Sequence, residues 1–548
     1  MDDIVAAVEA SLSPDTRAEF DARVDRQAET VGHDLRSGAL DNDDFAVGLE
    51  LETYATDAEG RLVRLPDDLF ESGVCGKELG VHNVELNTKP DVFDAPGIER
   101  QAASIREAVR TARAAVADLS TVSADVAGRA DGDRDDAPGD TDPEGIRLPL
   151  DAMWTVGPPE GAGTYLDAHT EQDGVVIAEN MRRNARYVAL DNEILRRAGG
   201  SVTLDVPGVE RSFPTILVES LATSIQPHLQ LPDADDLPTY FGVALRTMAP
   251  VLALATNSPF LPAEFYPDVS GDEAHAVVDA SHHELRVAVF EQGINAGCEP
   301  GREKVRFPRD LTSPADVADR LAADETYAPF LTDPHATLPD DYTERFPELD
   351  HKRGTYWRWL RTVVGGQIPR GTRQRHGDTA GDDNTTASVR LEYRPLPTQP
   401  TATDVVGLQC LTVGLVRGLV VADHPVADLD WSDARDAFYD VAANGLDADL
   451  AWITADGDRT TDTDTILGEV FEYARRGLTE QGLHETKADA YLAPIDARRR
   501  VGTTPSDWKR DRVRELVDDG LTLPDAIRRM QRVYLERAGR VESFVDWL

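Results

Sequence analysis

Cysteine is scarce in this chain of 548 residues. The three cysteines, Cys75, Cys298 and Cys410, lie far apart and form no C-x-x-C pair. A disulfide framework needs more cysteines than this, and a structural zinc site needs them in closely spaced pairs. We therefore expect three isolated thiols, with neither disulfides nor a zinc knuckle.

Long uninterrupted apolar runs are also missing. The longest apolar stretches contain Arg246 and Arg417 within the length that a membrane span would require. The start, Met1-Asp2-Asp3, has neither the basic region nor the apolar region of a signal peptide. These features predict a cytoplasmic protein that has no membrane partner.

Positive charge is limited as well. The chain has 100 acidic residues against 56 Lys and Arg, so its formal net charge is −44 and it repels phosphate backbones. This balance excludes nucleic-acid binding through a general basic face. Only six of the basic residues are lysines, and acid excess with few lysines resembles the cytosolic proteins of extreme halophiles. Such an adaptation to salt carries no information about the reaction.

No glycine-rich phosphate loop is present in the sequence. Residues 73–78 contain a Gly-Lys pair without the spacing of a P-loop, and residues 157–163 do not form G-x-G-x-x-G after a strand. If a nucleotide binds, metal ions and arginines must therefore hold its phosphates.

The pattern along the chain divides it into three parts. Residues 1–40 read as a helical lead-in, 41–430 as a core that contains a sheet, and 431–548 as an all-helical region. Two stretches in the core, 130–145 and 370–387, are rich in Gly, Asp and other polar residues. They are predicted to be surface loops.

Three segments of the core combine an apolar row with acids. In residues 47–53, alternation predicts a strand whose apolar side chains share one face while Glu50 and Glu52 share the other. The same pattern places Glu85 in a strand at 84–88 and Glu392 in a strand at 389–394. Each taken alone is also compatible with a solvent-exposed strand face.

A fourth strand is predicted at residues 224–230, with Gln226, His228 and Gln230 on its polar face. Pro227 predicts that this is an edge strand or the start of a strand. Glutamates that repel each other, together with a histidine and amides, suggest a site for a hard divalent cation such as Mg²⁺ or Mn²⁺. Magnesium in turn suggests a phosphorylated nucleotide.

In this order, the segments resemble the glutamate–cysteine ligase family of carboxylate–amine ligases over roughly residues 45 to 548. That resemblance implies an α+β fold with a glutamine-synthetase-like antiparallel sheet, flanking helices and a helical C-terminal region. The matching segments are Gly48-x-Glu50-x-Glu52, Lys77-Glu78-Leu79-Gly80, Val84-Glu85-Leu86-Asn87-Thr88, residues 253–260, Leu391-Glu392-Tyr393-Arg394-Pro395, residues 444–446 and residues 501–508.

The resemblance also implies a reaction. ATP and Mg²⁺ would convert the carboxylate of glutamate, or of another carboxylate substrate, into an acyl phosphate, and an amine would displace the phosphate to give a γ-glutamyl amide. A non-catalytic or repurposed relative that binds a small molecule or a protein is the alternative. A metal-dependent hydrolase is a weaker alternative, because no His and Asp set with the spacing for an activated water is visible. No motif identifies the amine or the oligomeric state.

Individual roles follow from the same resemblance. Glu52 and Arg394 are implied as catalytic residues, with Arg394 neutralising the transferred phosphoryl group. His228 and Gln230, with Arg394, are implied on the nucleotide side, and Arg186 and Tyr187 on the substrate side. His228 could instead be only hydrogen-bonded, and Arg186 and Tyr187 could simply lie on a helix surface. The implied metal ligands are Glu50, Glu52, Glu78, Glu85, His228 and Glu392.

Overall fold

The computed structural model describes residues 2–127, 145–332, 342–369 and 385–548. Of the two predicted loops, residues 130–144 and 370–384 lie outside the described residues. Residues 385–387 belong to a strand.

Strands occur mainly in the first three quarters of the chain. They are β1 (Ala46–Tyr54), β2 (Gly76–Lys77), β3 (Asn83–Asn87), β4 (Asp91–Val92), β5 (His169–Gln172), β6 (Val175–Ala178), β7 (Val202–Val206), β8 (Val209–Phe213), β9 (Ile225–Leu231), β10 (Leu360–Pro369), β11 (Thr385–Tyr393), β12 (Trp452–Ile453) and β13 (Arg459–Thr460).

Helices surround these strands and form most of the C-terminal part. They are α1 (Asp2–Ser11), α2 (Pro14–Ser37), α3 (Asp68–Glu71), α4 (Ala95–Ala127), α5 (Ala162–Asp167), α6 (Ala185–Ala198), α7 (Leu237–Ala253), α8 (Gly271–Ala280), α9 (Leu285–Ile294), α10 (Asp316–Ala323), α11 (Pro347–Arg353), α12 (Ala402–Val421), α13 (Trp431–Asn444), α14 (Thr463–Glu480), α15 (Glu485–Val501), α16 (Pro505–Asp518) and α17 (Leu523–Ala538).

The main sheet is antiparallel. Its strands follow the order β10-β11-β9-β1-β3-β2, and β4 pairs with β1 as a seventh strand. All four strands predicted from alternation are present, with ends within a few residues of those expected. The prediction of an α+β fold with an antiparallel sheet and flanking helices is therefore confirmed.

One expectation about this sheet is wrong. Pro227 lies in β9, which is a central strand between β1 and β11, and it is the third residue of that strand. Register explains how the proline is accommodated. Pairing of β9 with β11 runs only from His228 to Leu231, so at Pro227 the strand has an in-register partner on the β1 side alone.

The apolar face of the sheet packs on helices. In β1, Val47, Leu49 and Leu51 are buried, and helices α4 and α12 contact strands of this sheet. Helix α12 is the one described helix long and apolar enough to cross a membrane, yet 83% of its apolar window is buried inside the protein. It is therefore built into the core, and the sheet's other face is left for polar residues.

Buried ion pairs attach the C-terminal helices to the core. Nζ of Lys509 in α16 lies 2.6 Å from Oδ1 of Asp151. Nη2 of Arg498 in α15 lies 2.9 Å from Oδ1 of Asp404, and both of these side chains are fully buried. Residues 431–548 were predicted to be all helical. They also contain strands, because β12 and β13 pair as a short antiparallel ladder. Strands of two residues are too short to show an alternating pattern in a sequence.

Candidate functional site

Pairing in the sheet places the predicted acids on one polar face. Glu392 of β11 lies opposite His228 of β9, and His228 lies opposite Gly48 of β1. Two residues after Gly48 in β1, Glu50 lies opposite Gln226 of β9. Two residues later, Glu52 lies opposite Glu85 of β3. Since side chains alternate along a strand, these groups all project from the same side of the sheet.

Three of these groups converge closely. One ligand atom from each of Glu50, His228 and Glu392 lies within 4.8 Å of the other two. His228 Nε2 is 3.5 Å from Glu50 Oε1, and this buried nitrogen has no hydrogen-bond partner among the described residues. Burial is the main cause that lowers the pKa of His228, so the ring is neutral. A neutral imidazole between two carboxylates is a donor set suited to a divalent cation.

Arginines hold one member of this trio. Arg361 Nε donates to Glu392 Oε1 at 3.0 Å, and Arg361 Nη2 donates to Oε2 at 3.1 Å. Arg394 Nη1 also donates to Glu392, and it donates to Gln226 Oε1 at 2.7 Å. Burial alone would raise the pKa of Glu392, but the charges of Arg361 and Arg394 hold it well below its usual range. The carboxylate is therefore ionised.

A second group of acids, Glu52, Glu78 and Glu85, adjoins the trio of Glu50, His228 and Glu392. Glu52 Oε2 accepts hydrogen bonds from the backbone N and Oγ of Ser224 at 2.7 and 2.9 Å, and its Oε1 accepts one from Gln226 at 3.0 Å. Burial, together with the charges of Glu52 and Glu85, raises the pKa of Glu78 well above its usual value. Neighbouring carboxylates whose pKa is raised by burial and mutual repulsion are stabilised in the ionised form when a cation neutralises their charge.

A small cavity opens beside the second group. Its volume is about 70 Å³, which is the space of about two water molecules. Acids and guanidinium groups both reach it. The lining residues are Glu52, Glu78, Leu79, Asn83, Glu219, Ser220, Ala222, Arg286, Phe290 and Arg394.

Glu219, Arg286 and Arg361 are site residues that the sequence reasoning missed. Glu219 lies in a 3₁₀ helix, Ile216–Leu221, and Arg286 lies in α9, so neither belongs to an alternating strand. Arg361 had a usable signal, because it is the one charged residue in the run Leu360–Val364 of β10. Reading that run as a strand would have placed a cation beside the acids.

The predicted substrate-side residues Arg186 and Tyr187 interact electrostatically with each other, and their other neighbours differ. Tyr187, in the first turn of α6, borders the second group of acids: burial raises its pKa to about 12, and the charges of Glu78, Glu85 and Glu219 add to the shift. Arg186 instead packs against Gly354, where a Cβ would meet its guanidinium at 1.6 Å. Its charged neighbours include Asp350 and Arg353.

Gln230 lies on the polar face of β9, two residues from His228. It is buried, and its Nε2 donates to the carbonyl of Leu231 at 2.7 Å. Among the described residues its Oε1 has no hydrogen-bond partner. The structure therefore places Gln230 on the same face as the trio, with its amide nitrogen held by the backbone.

A family model matches most of the chain, and solved structures show a weaker likeness. Residues 144–539 match the family described as glutamate-cysteine ligase family 2. No curated protein matches the chain. Among solved structures, a glutamate–cysteine ligase from Francisella tularensis in complex with AMP is similar at 12% identity and a TM-score of 0.40, over 92% of this chain and 90% of that one. A bifunctional glutathione synthetase from Pasteurella multocida is similar at 13% identity and a TM-score of 0.41, over 90% of this chain and 52% of that one.

Proposed function

We propose, from the premise that this chain belongs to glutamate–cysteine ligase family 2, that it is an ATP- and Mg²⁺-dependent ligase joining a carboxylate to an amine. The carboxylate is that of glutamate, activated as an acyl phosphate, and the product is a γ-glutamyl amide. One observation carries the proposal: Glu50, His228 and Glu392, from three neighbouring strands, bring their ligand atoms within 4.8 Å of one another.

The side chains present fit divalent cations. The unpartnered Nε2 of His228 and the carboxylates of Glu50 and Glu392 would hold one ion. Glu78 interacts electrostatically with Glu52 and Glu85, and these three carboxylates would hold another ion. When bound, Mg²⁺ would neutralise the phosphate oxygens of the nucleotide. In a chain without a glycine-rich phosphate loop, this donor set takes over the task of holding phosphates.

Arg394 is suited to the phosphoryl group. It is nine-tenths buried, and one of its Nη atoms is fixed between Gln226 and Glu392. Its buried Nε has no hydrogen-bond partner among the described residues. Burial opposes the charged form, but Glu392 and the other acids raise the pKa of Arg394, so the guanidinium stays charged. A fixed cation of this kind stabilises charge that develops during phosphoryl transfer.

Phosphate release by the purified protein tests the proposal. With ATP, Mg²⁺, glutamate and a panel of amines that includes cysteine, we expect release that requires both glutamate and one of the amines. We expect Glu50→Gln, which removes a proposed metal ligand, to release no phosphate. The matched control is Glu210→Gln, which changes an exposed glutamate in β8 and should keep the activity.

Two results would contradict the proposal. No phosphate release with any amine, from protein that is folded and binds Mg²⁺, would favour a relative that has lost turnover. Release that needs neither glutamate nor an amine would favour a hydrolase.

A further inference from the structure

Glu219 lies at the edge of the small cavity, and its carboxyl group accepts no hydrogen bond from the described residues. It lines that cavity together with Glu52, Arg286 and Arg394. Within the described part of the chain, no side chain or backbone group donates a hydrogen bond to its carboxylate. The acids of the neighbouring strands differ in this respect, since Glu52 and Glu392 each accept several hydrogen bonds.

The segment that carries Glu219 is firmly held. The carbonyl oxygen of the next residue, Ser220, accepts hydrogen bonds from His82 Nε2 at 3.0 Å, from Trp154 Nε1 at 3.1 Å and from Asn83 Nδ2 at 3.4 Å. At the start of the same 3₁₀ helix, Asp191 accepts a hydrogen bond from the backbone N of Ile216 at 2.9 Å. The Glu219 carboxylate is thus presented to the cavity by a rigid backbone.

Charges around Glu219 distinguish between the cations that it could bind. Glu52, Arg286 and Arg394 line the same cavity, and all three interact electrostatically with Glu219. Glu52 and Glu78, which also line the cavity, are already assigned to a metal ion, and beside Glu219 the two guanidinium groups repel a further divalent ion more strongly than a singly charged group. A cavity with both signs of charge matches a ligand that itself carries both, as an amino acid does.

We infer that Glu219 binds the ammonium group of an amino-acid substrate. An ammonium group has three donors and no acceptor, so it matches a carboxylate that accepts no hydrogen bond from the protein. The cavity volume of about 70 Å³ suits an ammonium group and the carbon that bears it. This inference rests on the proposed function. The ammonium group belongs either to glutamate or to the acceptor, and an acceptor nitrogen must first pass a proton to Glu219 to regain the lone pair with which it attacks.

Substrate discrimination by Glu219→Gln is the test. Glutarate has both carboxylates of glutamate but no amino group. For the unchanged protein, kcat/KM is measured with glutamate and with glutarate at saturating ATP, Mg²⁺ and acceptor amine, and the same ratio is measured for Glu219→Gln. Loss of a hydrogen bond to a charged group changes binding about 10- to 100-fold. We expect the preference for glutamate over glutarate to fall by this factor, with the KM for ATP unchanged.

The remaining measurements separate the other outcomes. A rise of the same size in the KM for the acceptor amine, with the glutamate preference retained, supports the inference and assigns the ammonium group to the acceptor. If neither quantity changes, or if only the Mg²⁺ concentration needed for half-maximal activity changes, the inference is wrong. Glu210→Gln serves as the control for the substitution itself. If the unchanged protein fails to ligate any pair of substrates, the proposed function has failed, which is a different result.

Discussion

Arg361 and Glu392 face each other across β10 and β11, and two guanidinium nitrogens of Arg361 hold both carboxylate oxygens of Glu392 at 3.0 and 3.1 Å. Both side chains are almost completely buried. A two-pronged pair in this geometry fixes the direction of the carboxylate as well as its charge. Arg361 therefore positions a proposed metal ligand, although it was not among the residues predicted from the sequence.

The first prediction concerns the acid side of the pH profile. Arg361 lowers the pKa of Glu392, so Arg361→Lys, which loses the two-pronged contact, should raise it. Glu392 then takes up a proton at a higher pH and stops binding metal there. We expect the acid limb of the kcat/KM profile to move to higher pH. An unmoved limb, in a variant that is folded, would contradict a role for this pair.

The second prediction tests the metal ligands. Glu52→Gln and Glu392→Gln should each lower turnover about 100-fold or more, because each removes one charged ligand from ions that hold the phosphates. We expect an unchanged circular dichroism spectrum for Glu52→Gln, since the amide oxygen can still accept the two hydrogen bonds from Ser224. Equal ATP consumption by both variants and the unchanged protein, at saturating Mg²⁺, would refute the assignment.

The third prediction distinguishes two roles of Arg394. A lysine keeps the charge but loses the planar donor that fits phosphate oxygens. If Arg394 stabilises the transition state, Arg394→Lys should lower kcat by about 100-fold or more while ATP affinity stays within several-fold. If it only holds Glu392, the lysine variant should keep the parental rate, or lose rate in proportion to lost folded protein. Single-turnover kinetics and nucleotide binding measured on the same samples decide the matter.

The fourth prediction follows from the net charge of −44. Self-repulsion at this charge is weakened by salt, since the screening length falls from about 10 Å at 0.1 M to about 3 Å at 1 M. The unfolding temperature should therefore rise steadily as KCl increases from about 0.1 M to several molar. A flat dependence over this range would show that the acidic surface is not what limits stability.

The fifth prediction concerns the buried pair of Lys509 and Asp151, whose side chains are 2% and 0% exposed. Lys509→Met leaves a buried carboxylate without its cation, which should cost about 3–5 kcal/mol of unfolding free energy. Lys509→Met combined with Asp151→Asn should recover part of that loss. Chemical denaturation of the two variants measures both values. An equal loss in the single and double variants would show that packing of α16, rather than charge pairing, is responsible.

How far the sequence predicts the site depends on whether a residue's position follows from its own strand. Glu50, Glu52, Glu85 and Glu392 could be placed on one face, because alternation in a strand is a local property. Glu219 and Arg286 could not, because a 3₁₀ helix and a helix bring them to the cavity only through tertiary packing. Pro227 was misplaced for the same reason, since the sequence does not show where the β11 ladder ends.

The hydrogen-bond network around Asp151 joins distant parts of the chain. Tyr54, at the end of β1, donates to Asp151 Oδ2 at 2.9 Å, and Gln531 in α17 donates to the same oxygen at 2.6 Å. A strand made early in synthesis therefore gains its final partners only when residue 531 has left the ribosome. The apolar helix α12 likewise lacks the cover of α14 and α15 until residues 463–501 have been made. Nascent chains stalled before residue 509 should consequently be bound by chaperones and degraded by proteases, whereas chains that extend through residue 548 should resist both.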